Sequence, residues 1–268
     1  RHEEPDYVPV GPRTWVWLLE RYGSASWMYE LKAAQEFDYD PIMHIPSPFP
    51  NYISDLTASY EELNDVQVDL HVKRYENSTA LVRTFHTQAG TLTDRLTRFK
   101  PGVGYGIDPD PHWEERLVKS MSDLACLPFL LPQPSPQDYL DLVAIQNEVG
   151  TRGLVNFYVN SAIDHGAGWC MDIEDLMVAS IKQPELVRGL LSIFHEYTMA
   201  QTACALEAGV EVIFCPFYFA SLSVGWSPGF YRDFILPLVQ EQVALVHAAE
   251  RLYHYYDDGK VTKILPWL

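Results

Sequence analysis

Apolar and polar positions change period several times along the chain, and the change is clearest across residues 207–237, EAGVEVIFCPFYFASLSVGWSPGFYRDFILP. Val210, Val212, Ile213, Phe214 and Cys215 form a short apolar run behind Ala208 and Gly209, the pattern of a strand buried on both faces. Ser227 and Pro228 suit an N-cap and a first helical position, and Phe230, Phe234 and Leu238 then recur at helical spacing, predicting a helix over 228–250. Between strand and helix lies a loop bearing Tyr218, Ser221, Ser223 and Trp226. It follows the carboxyl end of the strand, the side on which parallel α/β folds gather binding groups.

The same reading extends upstream. Residues 8–10 or 15–19 supply a first strand, 25–37 a helix with Trp27, Leu31 and Ala34 on one face, and 42–45 a short strand running into the proline-rich PSPFPNY. Residues 66–93 alternate apolar with polar, and Glu76, Asn77 and Ser78 supply turn chemistry, so an antiparallel hairpin is expected there, outside the parallel strands and near their mouth. Residues 108–112 read as a turn, Ser120 or Ser122 as the cap of a short helix, and Ser135 with Pro136 as the start of another. A strand over 153–159 leads into the loop NSAIDHGAGWCMD, helices over 173–181 and 184–208 follow, and 252–256 forms the last strand. Strand and helix alternation of this kind predicts an α/β fold of TIM (β/α)8 barrel type as one domain over 1–268. About five of the eight strands a closed barrel needs are present, so the chain reads as a barrel truncated in its C-terminal part.

Composition narrows the function classes. With 36 acidic against 19 basic residues and a net charge of −17, the chain has no basic patch, which excludes a nucleic-acid partner. Cys126, Cys170, Cys204 and Cys215 lack paired spacing, arguing for reduced thiols and a cytoplasmic location. No apolar run reaches the roughly 18 residues of a membrane-spanning helix.

Candidate chemistry gathers at the predicted strand ends. In HYYDDG the period of two points His254, Tyr256 and Asp258 the same way. Asp164 and His165 sit side by side in the loop after 153–159, where a carboxylate beside an imidazole can orient a proton donor or grip a polar substrate. Trp169 offers a stacking surface, Tyr218 and Ser221 offer hydrogen bonds, and His44 stands near the end of its strand. Arg13 and Arg83 are candidates for carboxylate contacts. Because the ends of parallel strands open on one face, Asp164 or His165, Tyr218 and at least two of His254, Tyr256 and Asp258 are expected to line one cavity.

The segments PDYVPV, FDYDPIMH, GVEVIF, SPGFYRDFILP and LYHYYDDGKVTKILP resemble, over most of the chain, the uroporphyrinogen decarboxylase superfamily, with 207–266 the specific part. That superfamily includes corrinoid-linked methyltransferases and is related to cobalamin-independent methionine synthase. The resemblance implies the barrel fold and transfer of a methyl group from a small methylated donor, such as a methoxy aromatic or a methylamine, to a corrinoid carried by a partner protein. It also implies covering loops, with RTFHTQAGTLT similar to them, and zinc as a metal in many methyltransferase members. Those members carry His-x-Cys-Gly where this chain has Tyr256, Asp257, Asp258 and Gly259, so a zinc site that activates thiols is not supported by these residues. The arginine-bearing motif that grips a porphyrinogen is absent from GPRTWVWLLERYG, which favours the methyltransferase-like branch over a cofactor-free decarboxylase. A ligand-binding protein without catalysis is the remaining alternative.

Overall fold

The structure, a computed structural model, describes residues 10–49, 52, 53, 60, 63, 65–102, 104, 106 and 109–268. Its organising element is a four-stranded sheet of β1 (Ile42–Ile45), β6 (Leu154–Tyr158), β7 (Val212–Pro216) and β8 (Leu252–Tyr256), adjacent in that order and parallel throughout. Parallel neighbours require crossovers, and these are helical: α3 (Leu140–Val149) leads into β6, α5 (Ile173–Lys182) and α6 (Pro184–Ala208) join β6 to β7, and α7 (Leu236–Ala248) leads into β8.

The first predicted strand is not one. Residues Trp15–Tyr22 form helix α1, closed by Gly23 in the left-handed region at φ 71°, where its N–H reaches the Leu19 carbonyl. The aromatic and apolar residues of WVWLLERY suit a strand by type, but they stack at helical spacing, with Leu18 turned inward and Trp17 edge-on to Tyr22 and to Phe37 of α2 (Trp27–Phe37). Val10 belongs to no strand, and residues 8 and 9 lie outside the described set. Four parallel strands therefore replace the expected five, and no closed barrel forms among the described residues.

The alternating region is larger than a hairpin. Strands β2 (Gln67–Arg74), β3 (Ser78–Thr87), β4 (Gly90–Phe99) and β5 (His112–Glu115) make a second, antiparallel sheet. The RTFHTQAGTLT segment, expected as a covering loop, is the β3–β4 hairpin itself, since its alternation continues on both sides of the turn. His112 opens β5 rather than closing a turn. Edge strand β2 is exposed along most of its length and carries Asp69, His71, Lys73 and Arg74, a charged edge that discourages further pairing. This sheet is tied to the parallel one through Arg116, which donates to the Gly168 carbonyl at 2.5 Å and to Asp172 at 2.9 Å.

Helix caps follow the sequence signals. Ser120 and Asp123 form a capping box before the 3-10 stretch Met121–Leu130, and Ser135 and Asp138 do the same before Pro136–Tyr139. The loop expected over 160–172 is instead helical, α4 (Ala162–His165) running into a π turn at Gly166–Cys170. Ser161 caps it by accepting the Asp164 N–H. Among the described residues no helix is long and apolar enough to cross a membrane.

Inside the antiparallel sheet, Arg83 and Asp94 are fully buried and face each other across β3 and β4. The guanidinium donates to both carboxylate oxygens, at 3.0 and 2.5 Å, and to the carbonyls of Tyr52 and Ile53 and the Tyr60 hydroxyl. Burial pushes the Asp94 carboxyl up and the Arg83 guanidinium pulls it down; the two-point contact keeps both groups charged. Replacing Asp94 with Ala strands a buried cation, so a loss of about 3–5 kcal/mol is expected in urea unfolding. A loss under about 1 kcal/mol would show that water reaches Arg83.

Candidate functional site

Alternation along the parallel strands sorts their side chains onto two faces. Phe157, Ile213, Cys215, Tyr253 and Tyr255 belong to the main apolar core, and Met43 and Val155 pack with Leu31 and Val149 in a smaller cluster. The opposite face presents His44 from β1, Asn156 and Tyr158 from β6, Phe214 from β7, and His254 and Tyr256 from β8. Register brings these residues level, pairing His44 with Asn156, Tyr158 with Phe214 and Phe214 with His254.

This face forms one wall of a cavity of about 680 Å³, a volume that suits a small organic molecule. Its other wall is the segment 11–15 with parts of α1 and α2, including Arg13, Trp15, Trp27 and Glu30. Phe214 sits at the centre of the sheet side, its ring 4.2 Å from that of His44, 4.8 Å from His254, 5.4 Å from Tyr158 and 5.8 Å from Tyr256. Tyr218, just past β7, stands edge-on to Tyr256 at 5.6 Å. Arg13 donates to the Tyr256 hydroxyl at 3.1 Å.

Both imidazoles are held neutral. Burial lowers the His44 pKa to about 4, helped by His254 and Arg13, and burial alone lowers that of His254. His44 is exposed on the cavity side, and water entering there works against its drop. Burial raises the phenols of Tyr158 and Tyr218, whose hydroxyls interact with each other.

Of the residues singled out from sequence, His44, Tyr218, His254 and Tyr256 meet in this cavity. Asp164, His165, Trp169, Ser221 and Asp258 are not among its lining residues. Asp258 differs from His254 and Tyr256 because β8 ends at Tyr256, after which a period of two no longer fixes direction; its side chain is exposed in the following loop. His165 is buried, stacked on Phe194 at 4.9 Å and edge-on to Trp169 at 4.4 Å, with no hydrogen-bond partner for either ring nitrogen. Burial lowers its pKa to about 3, which keeps it an uncharged core ring.

Asp164 is buried beneath the loop that carries Tyr218. Its carboxyl accepts the Ser161 hydroxyl at 2.6 Å and the Phe219 N–H at 2.8 Å, and the Phe219 carbonyl in turn accepts the Trp226 indole N–H at 2.6 Å. The next loop locks onto this one at Gly259, where a Cβ would stand 1.6 Å from the Ser221 hydroxyl, so only glycine fits. Ser223 accepts the Lys260 N–H at 2.9 Å. Tyr158 and Phe214 line the cavity, and Asn156 lies buried behind its two histidines; the sequence reading singled out none of the three. A signal existed for Asn156, a lone amide inside the apolar run LVNFY.

The zinc implied by the resemblance does not fit the residues present. Among the described residues no three His, Cys, Asp or Glu side chains cluster closely enough to hold a metal. His44 and His254 both turn Nδ1 toward Asn156, and Cys215 faces the core on the other side of the sheet.

No family model matches the sequence, and no curated protein matches it. Among solved structures, a methyltransferase from Methanosarcina mazei is similar, at a TM-score of 0.52 and 16% identity, over 99% of this chain and 69% of that chain. At that identity the likeness is one of fold alone.

Burial raises the Asp164 pKa to about 7, with Asp257 and Asp258 adding to it against the hydrogen bonds from Ser161 and Phe219. An unfolded aspartic acid titrates near 3.9, so the unfolded chain loses this proton first, and the Asp164 contribution to stability is full below about pH 4 and falls as pH rises toward 7. Other groups titrate in that window, His165 in the opposite sense, so the comparison is with a variant. Asp164→Asn should reduce the loss of urea midpoint between about pH 4 and 8 relative to wild type. An unchanged pH profile would mean that Asp164 keeps an ordinary carboxylate pKa.

Proposed function

We propose that this chain is a methyltransferase-like enzyme of the uroporphyrinogen decarboxylase superfamily, moving a methyl group from a small methylated donor to a corrinoid carried by a partner protein. The observation that carries this reading is the cavity of about 680 Å³ on the polar, aromatic face of the parallel sheet, in a chain whose fold is similar to that of a methyltransferase. Motifs over 207–266 supply the link to the superfamily.

As a methyl group leaves, the heteroatom it leaves gains electron density, and a group able to share a proton with it lowers the barrier. A corrinoid carried by a docked partner protein would supply the nucleophile for the methyl group. In this reading Tyr158, Phe214 and Tyr256 hold the donor by ring contacts and exclude water, while His44, His254 and Tyr218 offer hydrogen bonds to the departing heteroatom. Arg13 grips an acidic substituent on the donor. Asp164 acts indirectly, holding the loop that carries Tyr218 through the Phe219 N–H, and His165 packs in the core against Phe194 and Trp169. No step is assigned to zinc.

The test adds a corrinoid protein in its Co(I) form and follows its absorbance with methoxy aromatics and methylamines as donors. Transfer with at least one of them is expected, and silence across both classes overturns the reading. Bound donor without chemistry would then indicate a binding protein, and turnover of uroporphyrinogen a decarboxylase. Replacing His254 with Ala should lower kcat/KM by roughly 10²-fold, whereas Asp258→Asn, outside the cavity lining, should stay within about twofold of wild type.

A further inference from the structure

We propose that Asn156 is a positioning residue that fixes the tautomer of both cavity histidines, and that the N–H donors so presented select a ligand with acceptor oxygens over one with an ammonium group. The ligand part deepens the function proposed above and rests on it. The tautomer part stands without it.

Asn156 is fully buried in the middle of β6, flanked by the buried Val155 and Phe157. A buried amide is costly unless it is hydrogen-bonded, and this one has two partners from different strands. Its Nδ2 lies 3.3 Å from Nδ1 of His44 on β1 and 3.3 Å from Nδ1 of His254 on β8. An amide nitrogen carries two hydrogens, and each neutral imidazole offers one lone pair, so the match is one to one.

The orientation of the amide follows from what each choice leaves unpaired. With nitrogen toward the rings, the Asn156 oxygen alone is without a partner. With oxygen toward the rings, both amide hydrogens would be buried without acceptors, and orphaned N–H groups are rarer in proteins than under-satisfied oxygens. Each Nδ1 is therefore an acceptor, and each ring carries its proton on Nε2. No hydrogen bond occupies either Nε2 among the described residues.

The titratable groups that share the cavity lining with these rings are Arg13 from the segment before α1, Glu30 from α2, Tyr158 from β6, Tyr218 after β7 and Tyr256 from β8. Glu30 is the one carboxylate in the lining among the described residues, and it is taken up by hydrogen bonds from Tyr39, at 2.8 Å, and from Thr14. Arg13 adds a cation. A cavity with imidazole N–H donors, a guanidinium and a carboxylate already taken up by hydrogen bonds offers partners to an ether or carboxylate oxygen and no free carboxylate to an ammonium group, despite its aromatic rings.

Long-range proton–nitrogen NMR of protein labelled in its histidines reads the tautomers directly, with His44→Gln and His254→Gln assigning the signals. Both rings of the wild type should be in the Nε2–H form at neutral pH, and finding either ring in the Nδ1–H form overturns the proposal without any variant at Asn156. Asn156→Asp, whose carboxylate accepts from Nδ1–H, should raise both histidine pKa values by a unit or more; Asn156→Leu should give mixed tautomers in both rings. If Asn156→Leu folds with its tautomers unchanged, Asn156 does not set them. Added para-methoxybenzoate should shift both Nε2 signals and trimethylammonium should not; equal shifts by the two overturn the ligand part. Failure of methyl transfer with the tautomers as expected would count against the proposed function alone.

Discussion

The alternation of side chains across the four-stranded parallel sheet is the constraint on which the rest depends. In one register Phe157, Ile213 and Cys215 face the helices and enter the core, each large apolar side chain contributing roughly 1.5–3 kcal/mol by burial. The same register turns His44, Asn156, Tyr158, Phe214 and His254 to the other side. Slipping any strand by one residue would put its cavity-side residues into the core and its core residues into the cavity, so the apolar face indirectly fixes the geometry of the polar one. The core and the cavity wall thus share one specification, although they draw on different residues.

A second layer of order lies beyond the strand ends. Asp164 ties the helical turn after β6 to the backbone at Phe219, and the Gly259 contact with Ser221 ties the loop after β7 to the loop after β8. Tyr218 is carried between these fastenings, next to Phe217, whose ring stacks on Tyr255 at 4.9 Å. A hydroxyl at the mouth of the cavity is thereby held by a frame in which buried groups meet their partners. Asp164 is part of that frame, which accounts for a buried carboxyl that does not line the cavity.

The antiparallel sheet is a separate solution to the same problem of burial. Its inner face encloses the Arg83 and Asp94 pair, and its link to the parallel sheet runs through Arg116 to the π turn that also holds Trp169. Residues expected to cover the site as a loop are committed to this sheet instead, so the described wall opposite the histidines is built from 11–15 and the first two helices.

Sequence alone determined the elements whose signals are local. The apolar run of β7, the Ser227 cap, the capping boxes at Ser120 and Ser135 and the alternation over 66–93 each specify their structure within a few residues, because periodicity and capping act over one or two turns. Sequence also put His254 and Tyr256 on one side, since they share a strand. Tertiary structure decided what local signals leave open. WVWLLERY became a helix because Trp17 and Leu18 found partners on its neighbours, not because its residue types favour one. Asp164 and His165, adjacent in sequence to a strand end, were drawn inward by Ser161, Phe219 and Phe194. Asn156 acquired its place because β1 and β8, 112 and 98 residues away in the pairs it makes, deliver one imidazole each to a single amide. No window along the chain contains that contact, for the physical reason that it exists only once strands distant in sequence lie in one sheet.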